Sequence, residues 1–103
     1  MSKGTKRHHI TALAYDRKGR LLAVGTNSYT KTHPLQAKFA EKSGKPGAVY
    51  LHAEIAALVK AKGKVHRLVV LRYGSKGQPL LAKPCKACQL ALTHYGVKEI
   101  EHT

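Results

Sequence analysis

At 103 residues, with 43% apolar content, one phenylalanine and no tryptophan, the chain has room for a single domain whose small core must be built from Leu, Val, Ala and Ile. Two cysteines rule out the disulfide framework of a small secreted domain, and no apolar run is long enough for a transmembrane helix. Lys plus Arg number 19 against 5 Asp plus Glu, a formal charge of +14 that attracts phosphates and polyanions, although basic residues spread from Lys3 to Lys98 mark no single groove.

The basic start MSKGTKRHH is followed by no apolar stretch of secretory type, so the cytoplasm is the expected compartment and no membrane partner is expected. Residues 1–8 read as a basic N-terminal segment and residues 9–103 as one domain. A strand over 9–16, a turn over 16–20 centred on Gly19 and a strand over 21–27 predict a β-hairpin. A polar loop (28–34) and a short helix (35–42) that ends at Gly44 follow. The segment 47–64 predicts a second helix, with Leu51, Ile55, Leu58 and Val59 on one face. VHRLVVLRY (65–73) has the apolar, β-branched look of a buried central strand. After a turn (74–79), residues 80–83 read as a short return strand or an extended loop. Pro84 is taken to open a helix that Gly96 closes, and 97–103 is a last strand. A hairpin followed by alternating helices and strands gives a mixed sheet with helices packed on it. So small a core also makes a homo-oligomer expected.

Cys85 and Cys88, the only cysteines, share one turn behind Pro84. A redox dithiol, half of a structural zinc site and part of a catalytic metal site all fit that spacing. A closed site needs four protein ligands, and the chain has no second cysteine pair and no suitably spaced histidine pair. A catalytic zinc needs only three, with one position left for water. Of seven histidines, His8, His9, His66, His94 and His102 read as surface or strand-end residues, whereas His33 stands in the polar loop before Pro34. His52 is different, because it opens a helix in LHAEIAAL with Glu54 two positions on. Glu54 is one of five acids and lies in an otherwise apolar stretch. It either caps the first turn of its helix or has a task that repays its burial, such as carrying a proton for a zinc-activated water.

HAE at 52–54 and PCKAC at 84–88 together resemble the H-x-E…P-C-x-x-C signature of the zinc-dependent cytidine/deoxycytidylate deaminase superfamily. AVGTNSYTKTHP resembles the second strand and following loop of that family, so the likeness runs from about His9 to Thr103. It implies a cytidine deaminase-like three-layer α/β/α sandwich with a mixed sheet of four to five strands, in a minimal version. It implies His52, Cys85 and Cys88 as ligands of Zn2+ and Glu54 as proton shuttle. Asn27 and Ala53 are implied as substrate contacts, with Thr32, His33 and Pro84 beside them. The reaction implied is attack of zinc-bound hydroxide on C4 of cytosine, with loss of ammonia and formation of uracil. The helix before the first strand and the elements after the last one, which many members have, lack a counterpart here, which argues that a neighbouring subunit completes the site.

The first reading is a deaminase of free cytosine nucleosides or nucleotides. The second is a polynucleotide deaminase acting on cytosine, or adenine, in single-stranded DNA or RNA. The charge favours the second, the shortage of aromatic residues counts against it, and Tyr29 and Tyr73 remain for stacking. A non-catalytic, basic nucleic-acid-binding zinc domain leaves Glu54 unexplained. A redox dithiol leaves both His52 and Glu54 unexplained.

Overall fold

The computed structural model describes residues 9–28, 32–44, 52–62, 64–74 and 76–103. The expected basic segment at 1–8 and Tyr29 lie outside them. Strands β1 (Ile10–Tyr15) and β2 (Leu21–Thr26) form the hairpin. Asp16 organises its turn, where Oδ1 accepts the N–H groups of Lys18 and Arg20. Gly19 takes φ +80 there, a conformation that glycine adopts without a side-chain penalty.

Helix α1 (Pro34–Lys42) starts on a proline, with His33 as N-cap. Helix α2 (Ala53–Lys60), strand β3 (Arg67–Arg72), helix α3 (Lys86–His94) and strand β4 (Glu99–His102) follow. The sheet order is β2-β1-β3-β4. β1 runs antiparallel to both neighbours, and β3 pairs with β4 in parallel across the α3 connection. The mixed sheet with helices packed on it is thus the architecture that the order of elements predicts.

Two boundaries differ from expectation. The described part of the second helix begins at Ala53, because His52 is its extended N-cap (φ −86, ψ 155), and residues 45–51 lie outside the described ones. It ends at Ala61, followed by Lys62 at φ 56, where the chain leaves the helix. Pro84 does not open α3. Cys85 is the N-cap, so Pro84 stands just outside the helix, and Pro34 is the proline that occupies a first helical position. Residues 80–83 are extended rather than a named strand; Leu80 N–H bonds Arg72 O and Ala82 N–H bonds Thr103 O.

Strand alternation explains the core. Ala12 and Ala14 of β1 and Leu68 and Val70 of β3 face one way and are buried, as are Phe39, Ile55, Leu58, Cys88 and Leu92 from the helices. Each large aliphatic side chain buried there contributes about 1.5–3 kcal/mol. The three described helices feed this one cluster and lie on one face of the sheet, so of the expected three-layer sandwich the described residues supply the sheet and one helix layer. Small residues let α2 sit close: a Cβ at Gly25 would fall 2.5 Å from both Ala53 O and Ala57 N. That contact between β2 and the first turn of α2 fixes the height of His52 above the sheet. No helix among the described residues is long and apolar enough to cross a membrane.

Candidate metal and catalytic centre

Two helix N-termini carry the site. His52 caps α2 and Cys85 caps α3, and neither helix has a side-chain cap hydrogen bond. Cys88, three residues on, returns to the same end of α3 after one turn. His52 Nδ1 lies 3.3 Å from Cys88 Sγ and 3.4 Å from Cys85 Sγ. All three donor atoms lie within 4.8 Å of one another, and no other such group occurs among the described residues. Zinc with bonds of about 2.0–2.1 Å to nitrogen and about 2.3 Å to sulfur holds such atoms about 3.5 Å apart at tetrahedral angles. One imidazole and two thiols at this spacing can hold a metal ion. A metal held through Nδ1 would leave the ring proton of the neutral imidazole on Nε2.

The electrostatics point the same way. A hydrogen bond from Cys88 and another from His52 hold the Cys85 thiol down to about 4, against the opposing effect of partial burial. Cys88 is pushed far above the ordinary thiol range by that same bond to Cys85, by burial and by Glu54. The hydrogen bond to Cys85 raises His52, and the charges of Cys85 and Glu54 add to it while burial works against it. Without metal, the cluster therefore combines a thiolate, a thiol and a ring that readily takes a proton. Metal binding expels those protons.

Glu54, 5% exposed, sits two residues into α2. Burial pushes its carboxyl up, while its own backbone N–H and His52 pull it partly back; Cys85 pushes it further up, and a hydrogen bond with the Cys88 thiol draws it down. The carboxyl therefore lies against the metal-binding group. No lysine or arginine among the described residues forms an ion pair with it. Its carboxyl bonds its own backbone N–H in the first turn, but that bond alone does not require a buried carboxyl at this place.

The remaining predicted residues are spread more widely. Ala53 is fully buried between His52 and Glu54. Pro84 is buried next to Cys85, and its carbonyl accepts a 2.8 Å bond from Gln89 Nε2. Asn27 ends the hairpin, where Oδ1 accepts Ile10 N–H at 3.0 Å. His33 Nδ1 accepts Leu35 N–H at 3.0 Å as the cap of α1, and Thr32 before it is exposed. The structure thus brings His52, Glu54, Cys85 and Cys88 together and gives Asn27 and His33 structural bonds of their own.

One residue escaped the sequence reading. Gln36, fully buried on α1, accepts the backbone N–H of His52 through Oε1 at 3.1 Å. Its Nε2 is buried without a hydrogen-bond partner. This carboxamide ties α1 to His52. The signal was available: Gln36 shares a helix face with Phe39 and Ala40, where a polar residue is out of place.

The comparison with solved structures finds a point mutant of the cytidine deaminase from Mycobacterium tuberculosis, at 24% identity and a TM-score of 0.51. The match covers 96% of this chain and 70% of that one. The fold is cytidine deaminase-like. No protein-family model and no curated protein matches the chain. In the present chain the group of His52, Cys85 and Cys88 stands where two helix N-termini meet over one face of the sheet.

Proposed function

We propose that the chain is a zinc-dependent hydrolytic deaminase that converts cytosine to uracil in free (deoxy)cytidine nucleosides or nucleotides. The observation that carries this reading is the triangle of His52 Nδ1, Cys85 Sγ and Cys88 Sγ with a buried carboxyl, Glu54, against it. His52, Cys85 and Cys88 would hold the zinc. Zinc in such a site supplies Lewis acidity that brings the pKa of a coordinated water to about 7. Glu54, whose proton affinity burial raises, takes the two protons of the attacking water in turn and delivers one to the ring nitrogen and the other to the departing amine, which leaves as ammonia. Ala53 and Pro84, both buried, flank these groups with apolar surface, which strengthens nearby charge interactions. Ala53 and Pro84, with Asn27, Thr32 and His33, remain the candidate substrate contacts.

The net charge of +14 favours a second reading, deamination of a base in single-stranded DNA or RNA. Tyr73, 52% exposed, is available for stacking on that reading. One assay separates the two. Zinc-loaded protein is given cytidine, deoxycytidine, CMP, dCMP and dCTP, and cytosine-containing single-stranded DNA and RNA in parallel, with uracil read by mass spectrometry. Uracil in the monomers is the expected result. Uracil only in the polymers transfers the proposal to the second reading, and no uracil anywhere, with zinc retained, refutes both for cytosine.

A further inference from the structure

The two edges of the sheet are treated differently. At the β2 edge, Lys60 Nζ donates to Val24 O at 3.1 Å and the ladder shifts register between Ala14 and Tyr15. A lysine and a bulge are two of the ordinary devices that keep an edge strand from pairing. β4 carries neither: its four residues Glu99–His102 are all exposed and contain no lysine, proline or bulge. Among the described residues, no strand pairs with its outer edge. The N–H groups of Glu99 and Thr103 bond inward, to His66 O and Val70 O at 3.0 Å each. Strand alternation therefore turns the N–H and C=O groups of Ile100 and His102 outward.

Beside this edge, on the helix face, runs a groove of about 330 Å3 between α3 and β4, lined by Lys83, Pro84, Gln89, Thr93, Ile100 and His102. Ile100 is 41% exposed on its floor. The other side of β4 holds two of the five acids of the chain, Glu99 and Glu101. Arg67 bonds Glu101 Oε2 at 2.6 Å through both Nε and Nη2, and His66 lies 3.5 Å from Glu99. In a chain of charge +14, this is a strip where a second positive chain can approach and where a polyanion is repelled.

We propose that β4 is a dimer interface, pairing antiparallel with β4 of a second copy about a twofold axis at Glu101. In that register, Ile100 lies opposite the partner's His102 and the outward backbone groups of both strands are satisfied reciprocally, as an isologous contact requires. Two sheets of four strands become one continuous sheet, and the grooves of the two copies meet across the axis. The two Glu101 side chains come side by side. Each binds its own guanidinium through Oε2 only, which leaves Oε1 to accept the partner's Arg67, so charges alternate across the axis. A contact this short falls below about 1,200 Å2 in total, so the dimer dissociates on dilution.

The test is sedimentation velocity of the full chain over a wide concentration range, with amide exchange followed by NMR in the same samples. The expected result is a rise from one to two chains per particle. In step with it, exchange slows at Ile100 and His102, while Glu99 and Thr103 stay protected at every concentration. Ile100→Lys sets a charge on the edge without touching an inward bond and shifts the dimer midpoint upward by ~tenfold or more. Leu21→Lys, at an even more exposed place on β2, leaves it unchanged. A chain that is monomeric throughout, or a dimer that forms without slowing Ile100 and His102, overturns the proposal. The wild-type exchange data decide the matter even if the Ile100 variant fails to fold.

Discussion

Gly25→Ala is expected to loosen the metal site from a distance. The added Cβ would lie 2.5 Å from Ala53 O and Ala57 N and 3.0 Å from Ala56 C, where ordinary contact begins at 3.4 Å. The obstacles are helix backbone, which cannot swing aside as a side chain can, so α2 must move off the sheet by about 0.9 Å, the difference between 3.4 and 2.5 Å. Overpacking of this kind costs about 1–3 kcal/mol. The gain from replacing glycine in a strand, about 0.5–1 kcal/mol, is smaller. For a domain of this size the net loss lowers the melting temperature by roughly 4–8 °C per kcal/mol. The displaced residues adjoin His52, whose Nδ1 lies 3.3–3.4 Å from two sulfurs, so a shift of that size breaks the triangle and metal affinity falls by about 10–100-fold. The assay is zinc competition against a chromophoric chelator, run beside a thermal melt. Gly19→Ala is the control: φ +80 makes alanine strained there, yet nothing lies within 4 Å of its Cβ, so stability falls and zinc affinity does not. A Gly25→Ala protein with wild-type zinc affinity would show that the contact between β2 and α2 does not set the position of His52.

Glu54→Gln is expected to retain zinc and abolish turnover. The folded carboxyl titrates above its unfolded value, so its stabilising protonated form is lost as pH rises through the raised range. The wild type therefore loses stability across that range and the glutamine variant does not; melts over a pH series test this, and surviving turnover would sink the proton-shuttle role. In metal-free protein, iodoacetamide at about pH 6 should alkylate Cys85, held down to about 4, and spare the buried Cys88, with zinc protecting both. Equal labelling of the two thiols would contradict the assigned charge states. Gln36→Met keeps the length of the side chain and removes both the acceptor for His52 N–H and the unsatisfied Nε2. Losing the bond costs about 1 kcal/mol and losing the buried donor returns about 1–3 kcal/mol, so the melting temperature holds while zinc affinity drops. Parallel losses of both would mean that Gln36 only packs.

The sequence was readable wherever a local pattern carried the information. The hairpin, β3 and the three helices follow from alternation, helical spacing and turn residues. The edges do not: LLAVGT of β2 looks as buried as RLVVLR of β3, yet Leu21, Leu22 and Val24 are exposed, because a strand's place in the sheet depends on its partners. The apolar run from 47 to 64 suggested one helix with His52 on its first turn. His52 instead stands before the helix in extended backbone, a distinction of one residue that hydrophobic periodicity cannot make. The residues that could hold a metal were legible because their spacings, H-x-E and C-x-x-C, are themselves local. Gln36 was legible only as a polar residue on an apolar helix face; its partner was not, because the bond to His52 spans 16 residues and helical periodicity names no partner.

The two N-caps explain why the site resists ordinary structural rules. A helix start is normally stabilised by Ser, Thr, Asp or Asn, and giving that up costs about 0.5–2 kcal/mol. α2 and α3 both give it up, because His52 and Cys85 turn their side chains toward each other instead of back onto their own helices. α1, which carries none of His52, Cys85 and Cys88, keeps its cap in His33. The same two helix ends offer free N–H groups and a positive dipole end, which favour the thiolate form of Cys85 and the ionised form of Glu54 when it has taken up its role. A local rule broken twice, at the two places that converge, is what a chain looks like when ligand geometry has displaced helix stability as the constraint on those positions. On the proposed function, the cost falls on the metal-free fold, and metal binding at the triangle would offset it.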